Sequence, residues 1–321
     1  MIPGKSLLGP ATMALAVRCR RGGVIINEHV LSASQTRRHI EALGRWFDFI
    51  ALDELAGRLD RPRARPFCLV TFDDGKRSNA TVAADELERA GVPAVFYVVT
   101  EFLTDGRPLW FDRYRALVAG LGSPPPGLET TRVKHLPYAT LLARLDEACA
   151  RSGFDADPGS DDVRPMSWDE ARRLRQRGFE LGAHGVRHAI LTRESPDTAR
   201  QSIRDSLARV AAEVGRCSTF AFPNGNYTAE LALHARACGA ATVMTVEPLW
   251  TDAGRPFWCL PRVQIFGPDR PGRIGWKLAL AATGCVLPSP DGTGREYTWR
   301  SPSGPPSAWN ERPLSRRLSK T

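Results

Sequence analysis

Two short motifs bring together side chains that could bind a metal ion and a side chain that could move a proton. Residues 71–75 end an apolar run with two adjacent carboxylates, Asp73 and Asp74, before a glycine. A second apolar run is followed directly by His184 and His188. Two imidazoles at this spacing can reach one ion if the chain turns after the first. With one carboxylate they suit a catalytic zinc or a similar divalent ion.

Each motif taken alone has a simpler explanation. An Asp-Asp-Gly run after a strand is often only a turn that caps a helix, and an isolated histidine pair is more often not a metal site. The chain has only six histidines, so two at one strand end, with two carboxylates at another, favour a shared site. Because side chains alternate along a strand, we expect one acid to face a metal and the other the substrate.

The surrounding pattern predicts an α/β fold with parallel strands, because apolar runs alternate with stretches of helical periodicity. Strands are predicted at residues 23–27, 47–52, 67–72, 94–99, 179–183, 219–222, 241–246 and 259–265. Helices are predicted at residues 35–46, 53–59, 78–90, 138–151, 167–177 and 229–238, and another begins at Ser195. Both motifs then follow the C-terminal ends of strands, where active-site residues collect in parallel α/β folds.

Three regions are expected along the chain. Residues 1–65 form an N-terminal flanking βα segment, and residues 66–265 form the main domain, with an insertion around 101–165 that contains a proline-rich break. Residues 266–321 contribute a C-terminal helix and a tail rich in Gly, Pro, Ser and Arg, a composition typical of disorder.

Composition and charge argue against several functions. The 321 residues are 42% hydrophobic and 25% charged, as in ordinary globular proteins. The net charge of +9 comes from scattered arginines without a basic helix or zinc finger, so we expect no nucleic-acid binding. No serine or cysteine lies in a GxSxG elbow, so nucleophilic catalysis is not expected. A basic surface would suit an anionic glycan, a lipid-linked sugar or peripheral contact with a membrane.

The cysteines and the N-terminus bear on location. Seven scattered cysteines without a CxxC pair indicate reduced thiols rather than disulfides or a cysteine zinc site. The apolar stretch at residues 6–17 is short and interrupted, so we favour an uncleaved N-terminus, and no segment is long enough to span a bilayer. The expected location is the cytoplasm or the face of the inner membrane, with export as the alternative.

The motifs also resemble those of a known family. Residues 71–75 resemble the first signature of the polysaccharide deacetylase (NodB-homology) family, which is similar to carbohydrate esterase family 4, and residues 182–188 resemble the second. Less specifically, residues 220–225 resemble a groove-wall motif in one branch of the family, and residues 260–262 resemble the strand that closes the site there. The resemblance implies an incomplete, distorted (β/α) barrel with the site at the strand C-termini.

The resemblance also implies a function. It is that of a metal-dependent hydrolase that removes N-acetyl groups from N-acetylhexosamine units of a cell-envelope glycan, an exopolysaccharide or a lipid-linked sugar. Asp74, His184 and His188 would hold the divalent ion, with zinc preferred and cobalt, manganese or iron as alternatives. Asp73 would be the general base.

The sequence departs from the common family pattern at two points. Residues 220–225 contain no arginine to orient the base, so Arg262 is the candidate for pairing with Asp73. No histidine follows His234, which lies in a predicted helix, so the acid that protonates the leaving amine is unassigned.

Several residues are candidates for contact with the substrate. Those in or near the expected site are Pro223, Asn224, Tyr227 and His29. Pro223 and Tyr227 would shape the acetyl pocket, and a backbone N–H near Tyr227 would stabilise the oxyanion. For His29, a surface or packing role is equally compatible with the pattern. The tryptophans that could stack on a sugar, although most tryptophans are core residues, are Trp110, Trp168 and Trp258.

Two other interpretations stay open. The same fold could hydrolyse a small cyclic amide or ureide, which a narrow pocket without exposed aromatic side chains would favour. Alternatively, the domain could be degenerate and bind a glycan or a metal without turnover. The missing late histidine supports that interpretation, whereas the retained pairs of aspartates and histidines count against it.

Overall fold

Parallel strands form a curled sheet in this computed structural model, which describes residues 21–61, 65–154, 163–254, 256 and 259–284. The strands are β1 (Gly23–Glu28), β2 (Asp48–Phe49), β3 (Phe67–Phe72), β4 (Ala94–Val98), β5 (Glu180–Ala183), β6 (Thr219–Ala221), β7 (Thr242–Met244) and β8 (Val263–Gln264). Their order is β7-β6-β5-β4-β3-β1-β8, with β2 beside β3. All of these pairings are parallel. The predicted distorted α/β barrel is therefore confirmed.

The centre of the sheet is buried on both faces. Every residue of β1, β3 and β4 is buried, as expected for parallel strands covered on one side by helices and on the other by the barrel interior. The near-continuous apolar runs that predicted these strands reflect this double burial.

Residues 260–264 link the two edges of the sheet. Leu260 makes a parallel bridge with Met244 at the end of β7, and Val263 of β8 pairs with Ile26 of β1. Pro261 stands between these contacts and has no N–H to continue a ladder. The strand predicted at 259–265 is therefore reduced to two residues, and the segment crosses from one edge to the other. The strand predicted at 241–246 is likewise shortened, to β7.

The strand predicted at 47–52 is also too long. Only Asp48 and Phe49 pair with the start of β3. From Val70 onward the same side of β3 is occupied by β4, so β2 has no further partner. The chain turns instead into a 3₁₀ helix at Leu52–Glu54.

Helices surround the sheet. They are α1 (Ala33–Gly44), α2 (Leu55–Leu59), α3 (Ala84–Arg89), α4 (Thr100–Asp105), α5 (Trp110–Leu121), α6 (Thr130–Val133), α7 (Tyr138–Ser152), α8 (Trp168–Gln176), α9 (Pro196–Val214), α10 (Ala229–Ala237) and α11 (Pro271–Thr283). A π-helical turn, Asn79–Ala83, precedes α3. Ser32 and Ser167 form capping boxes at α1 and α8. Ser195 caps α9, which opens with a proline.

The predicted insertion contains α4 to α7, and α5 to α7 have their own small apolar core, which includes Leu117, Leu128, Leu141 and Leu145. The division of the chain into three regions stays a prediction. The C-terminal helix is present as α11, whereas the predictions for the first twenty residues and for the tail concern residues outside the described ranges.

Two further features concern the helices and the cysteines. None of the described helices is both long and apolar enough to cross a membrane. The cysteines in the described ranges, Cys68, Cys149, Cys217, Cys238 and Cys259, are all free thiols.

Candidate metal centre

The candidate ligands follow two strands that flank β4. Asp73 and Asp74 come directly after β3, and His184 comes directly after β5. Because both strands pair in parallel with β4, these residues meet at the C-terminal end of the strands. A sharp turn then orients the two carboxylates. Asp74 and Gly75 are both left-handed, with φ of 76° and 81°. A Cβ on Gly75 would lie 2.9 Å from Leu103 Cδ1, so only glycine fits there without rearrangement.

Asp74, His184 and His188 form a compact buried cluster. One ligand atom from each lies within 4.8 Å of the others. Nε2 of His188 is 3.4 Å from Asp74 Oδ1, and Nε2 of His184 is 3.8 Å from the same oxygen. No other group of three such side chains is found in the part of the chain that the structure describes. The residues predicted to be ligands therefore converge on one small volume.

The surroundings of His184 prepare it to act as a ligand. Its Nδ1 lies 2.8 Å from the carbonyl oxygen of Ala221. A carbonyl can only accept, so Nδ1 carries the proton and Nε2 presents its lone pair to the cluster. Burial lowers the pKa of His184 to about 4, and the ring is therefore neutral at pH 7, the form that binds metals.

Asp74 is an ionised carboxylate in an unusual setting. Its side chain is buried, yet within the described ranges neither oxygen has a hydrogen-bond partner. Burial alone would raise the pKa of Asp74, but His188, His29 and Lys76 outweigh it and hold the pKa far below its ordinary value. Buried polar atoms almost always have partners. An orphaned carboxylate facing two imidazole nitrogens is therefore a donor set that fits a divalent cation.

Asp73 is held by Arg262. The two guanidinium NH groups donate to its two oxygens at 2.7 and 2.8 Å, so the expected contact is present. Arg262 is fully buried and also donates to the hydroxyl of Thr71 and the carbonyl of Thr245. Burial opposes ionisation of Asp73, but Arg262 and His184 hold its pKa below the ordinary value. Arg262 reaches this position because residues 260–264 cross between the sheet edges.

His29 lies close to both carboxylates. It follows β1 at the position beside Asp73, whose N–H donates to the carbonyl of Glu28 at 3.0 Å. The ring is half-buried. Burial lowers the pKa of His29, while the charges of Asp74 and Asp73 oppose this shift. The imidazole is thus electrostatically coupled to the site.

The loop after β6 holds the other candidates for substrate contact. Pro223 and Asn224 lie in a 3₁₀ turn, Pro223–Gly225, and Asn224 is left-handed with φ 57°. The Asn224 amide donates to Asn226 Oδ1 at 2.5 Å. The ring of Tyr227 is buried and its hydroxyl donates to Glu247 at 2.8 Å, so this side chain supports the loop from within the core.

Of the tryptophans considered for sugar stacking, the two that the structure describes are core residues, as most tryptophans are. Trp110 and Trp168 are only 4% and 9% exposed, so neither offers a ring face to a sugar. Their indole N–H groups donate to the carbonyl of His188 and to the hydroxyl of Thr104. Trp258 lies outside the described residues. His234, within α10, has its Nε2 3.1 Å from the carbonyl of Arg200 on α9.

Sequence reasoning missed a buried ion pair beside the cluster. Lys76 Nζ lies 2.5 Å from Asp112 Oδ2, and both side chains are 3% exposed. The ring of Phe111 packs edge-on against His188, with centroids 4.9 Å apart. The position of Lys76 next to the Asp-Asp-Gly turn was the one sequence signal for this ion pair, and no nearby residue pattern pointed to Asp112 as its partner.

Comparison with known proteins identifies the class. A family model described as "Polysaccharide deacetylase" matches residues 60–243, more than half of the chain. The chain therefore belongs to the polysaccharide deacetylase family and is an enzyme of the deacetylase class, as the resemblance implied. No curated protein matches the sequence.

Several solved structures share the fold. The Streptococcus pyogenes deacetylase PplD, in complex with acetate, has 14% identity and a TM-score of 0.57, with 80% of this chain and 97% of that one covered. IcaB from Ammonifex degensii has 17% identity and a TM-score of 0.54, with 81% and 98% covered. A de-N-acetylase from Aggregatibacter actinomycetemcomitans has 14% identity and a TM-score of 0.55, with 81% and 100% covered. At these identities the likeness shows a common fold.

Proposed function

We propose that this chain is a metal-dependent hydrolase that removes acetyl groups from N-acetylhexosamine units of a glycan or lipid-linked sugar. The observation that carries the proposal is the orphaned, buried carboxylate of Asp74, which faces Nε2 of His184 and of His188. An ionised group in that position is costly unless it is paired or binds a cation. These three residues would hold the ion, with zinc preferred and cobalt, manganese or iron compatible with the same ligands.

The chain's own residues account for the deprotonation step. When bound, a divalent ion would polarise the acetamide carbonyl and lower the pKa of a water molecule. Asp73 accepts the proton of the attacking water as general base. Arg262 donates to both oxygens of Asp73, which fixes the orientation of the carboxylate and keeps it unprotonated at neutral pH. This pairing replaces the arginine that residues 220–225 lack.

His29 is the candidate for the proton that the leaving amine requires. It is coupled to Asp73 and Asp74, and neither the metal cluster nor the Arg262 pair uses its ring. We assign it contact with the sugar or delivery of a proton to the leaving amine. Because its pKa is lowered and the ring is neutral at pH 7, the proton delivered would be the one that Asp73 takes from the attacking water, passed on through His29. A His29→Gln variant distinguishes these roles, because a binding contact raises KM, whereas a lost acid lowers kcat. Pro223, Asn224 and the backbone at Tyr227 complete the proposed wall of the acetyl pocket.

The similar structures favour acetamide hydrolysis. One is a de-N-acetylase by name, and another holds acetate, the product expected of N-deacetylation. The exact sugar, a role at the cell envelope, peripheral contact with a membrane and a cytoplasmic location stay predictions.

The test is metal content together with acetate release from N-acetylglucosamine oligomers. Wild type is measured beside the double variant His184→Ala/His188→Ala, with His234→Ala as the matched control, since His234 bonds only within the α9–α10 pair in the described structure. We expect about one divalent ion per chain and acetate release in wild type and control, and neither in the double variant. Undiminished acetate release in the double variant would refute the proposal.

One observation bears on whether the substrate is smaller than a glycan. Both described tryptophans considered for sugar stacking are buried, so neither supplies a stacking surface for a sugar, and a small cyclic amide or ureide is the alternative substrate class. The substrate panel therefore includes a cyclic ureide. Turnover of that compound alone would support the small-amide interpretation, and bound metal without turnover of any substrate would support a binding domain.

A further inference from the structure

Three consecutive residues at the start of α5 contact the loops that carry the candidate ligands. The indole N–H of Trp110 donates to the carbonyl oxygen of His188 at 3.1 Å. The ring of Phe111 meets the ring of His188 edge-on, with centroids 4.9 Å apart. Asp112 pairs with Lys76, two residues beyond Asp74, at 2.5 Å. The insertion thus reaches both ligand loops through one helical turn.

His188 depends on such support. Its backbone is left-handed, with φ 56°, a conformation that a residue other than glycine adopts only when its surroundings hold it there. His184 is oriented by the carbonyl of Ala221, whereas Nδ1 of His188 has no hydrogen-bond partner within the described ranges. The orientation of His188 therefore relies on the hydrogen bond from Trp110 to its backbone carbonyl and on the rings of Phe111 and His184, which pack edge-on against its imidazole.

The Lys76–Asp112 pair controls charge near the cluster. Lys76 is two residues beyond Asp74, and its ammonium lies 5.2 Å from the centre of the Phe111 ring that packs against His188, so its charge stands beside the candidate ligands. Asp112 neutralises that ammonium from 2.5 Å in a buried setting. The other carboxylate oxygen of Asp112 has a more distant, exposed partner, Arg115, at 3.5 Å. Without Asp112, an uncompensated ammonium would repel a cation at Asp74.

Other parts of the insertion also form backbone hydrogen bonds with the two loops that carry the candidate ligands. At its start, the N–H groups of Thr100 and Glu101 donate to the carbonyls of Gly185 and Val186, between the two histidines. Where the chain returns, at residues 164–166, it forms backbone hydrogen bonds with residues 75–77, directly after Asp74. The helix start at 110–112 therefore belongs to a framework that encloses both ligand loops.

We propose that the first turn of α5 is a positioning element for the metal centre, in which Trp110 fixes the backbone of His188 and Asp112 neutralises Lys76 beside Asp74. The proposal rests on the metal dependence proposed above. It predicts that substitutions here weaken metal binding while the rest of the fold and the ligands themselves remain intact.

The first test compares Trp110→Phe with Trp168→Phe. Both tryptophans are buried first residues of helices whose indole N–H donates at 3.1 Å, but only Trp110 donates to a candidate ligand. The Zn²⁺ dissociation constant is measured on the full chain by competition with a chelator, and thermal unfolding is measured without metal. We expect Trp110→Phe to weaken zinc binding about 10-fold or more, as for other groups that orient ligands, and Trp168→Phe to leave it unchanged.

The second test compares Asp112→Asn with Asp269→Asn. Asp269, itself buried, also pairs with a lysine, the half-buried Lys277, at 2.5 Å, but this pair lies on the α11 side and does not touch a candidate ligand loop. Asp112→Asn is expected to weaken zinc binding by at least about 10-fold, and Asp269→Asn is not. This pair keeps the proposal testable if Trp110→Phe fails to fold.

The outcomes separate the two proposals. Zinc affinities equal to wild type in both Trp110→Phe and Asp112→Asn, with wild type binding zinc, would overturn the positioning role alone. Loss of affinity in the control variants to the same degree would show a general effect of lost stability and would also overturn it. A wild-type chain that binds no zinc would instead refute the metal dependence from which the inference starts.

Discussion

Two buried polar clusters of the same sheet differ in whether their polar atoms have hydrogen-bond partners. Among β4, β6 and β7, the hydroxyl of Tyr97 bonds to that of Thr219 at 2.7 Å, and Thr242 donates to Thr219 at 2.8 Å, so each hydroxyl has a partner. At the C-terminal edge, neither oxygen of Asp74 nor Nδ1 of His188 has one within the described ranges.

The difference separates stability from function. A satisfied network of neutral groups stabilises a fold modestly and specifies one arrangement. The carboxylate of Asp74 has no such hydrogen-bonded partner; it loses its hydration on burial, and only neighbouring groups such as His188, His29 and Lys76 compensate. Such an arrangement persists where another requirement outweighs stability, which is what a binding site for a cation would impose. Substitutions in the two clusters should therefore affect different properties.

The largest effect is expected for Asp74→Asn. It removes the charged member of the ligand set, so acetate release should fall by at least about 100-fold, beyond the loss typical of groups that only orient ligands. The variant should still fold without metal, because asparagine has nearly the shape of aspartate. Acetate assays and urea unfolding in the presence of a chelator check both parts. A fully active variant would remove Asp74 from the site.

Arg262→Met should affect both stability and activity. It leaves the carboxylate of Asp73 buried and unpaired, which is expected to cost about 3 to 5 kcal/mol. The base also loses its orientation, so kcat should fall. Arg262→Lys is the companion variant that keeps the charge but loses the two-point contact. If Arg262→Met were as active as wild type, the orienting role would be rejected.

The same variant has a distinct pH signature. In wild type the pKa of Asp73 is lowered, so its contribution to stability is present above the unfolded-state pKa and is lost as the pH falls through the folded-state value. In Arg262→Met, burial without a partner raises the folded-state pKa, so protonation should favour the fold. The contribution of Asp73 should then increase as the pH falls, reversing the wild-type trend, which urea unfolding across the acid range can detect.

The smallest effect is expected for Thr219→Val. It removes the hydroxyl that accepts from Thr242 and bonds to Tyr97, so the midpoint of urea unfolding should fall by an amount equivalent to about 1 to 3 kcal/mol. Activity per folded molecule should not change, because the network does not touch the candidate ligands. A loss of kcat without a loss of stability would show that the two clusters are not separate.

Much of the barrel could be predicted from local pattern. Buried parallel strands are apolar throughout, so β1, β3 and β4 were placed nearly to the residue. The errors fell at the short edge strands, where pairing depends on what else occupies the edge: β2 ends because β4 takes the side of β3, and Pro261 interrupts the closing segment. Trp110 and Trp168 stay open in sequence between a stacking role and a core role, because helix starts that pack inward and loop residues look alike.

The sequence by itself determined the α/β class and the four polar residues at two strand ends, because apolar runs and the residues that terminate them are local properties. Only the tertiary structure decided which distant groups complete the site. Lys76 meets Asp112 across 36 positions of sequence, a contact that the sequence pattern does not predict. The contact of Arg262 with Asp73, across 189 positions, is expected from the family resemblance, but its two-point geometry is visible only in the structure. Both contacts depend on how the closing segment and the insertion fold back on the strand ends. Pairings of this kind are set by the packing of whole elements, and no local pattern encodes them.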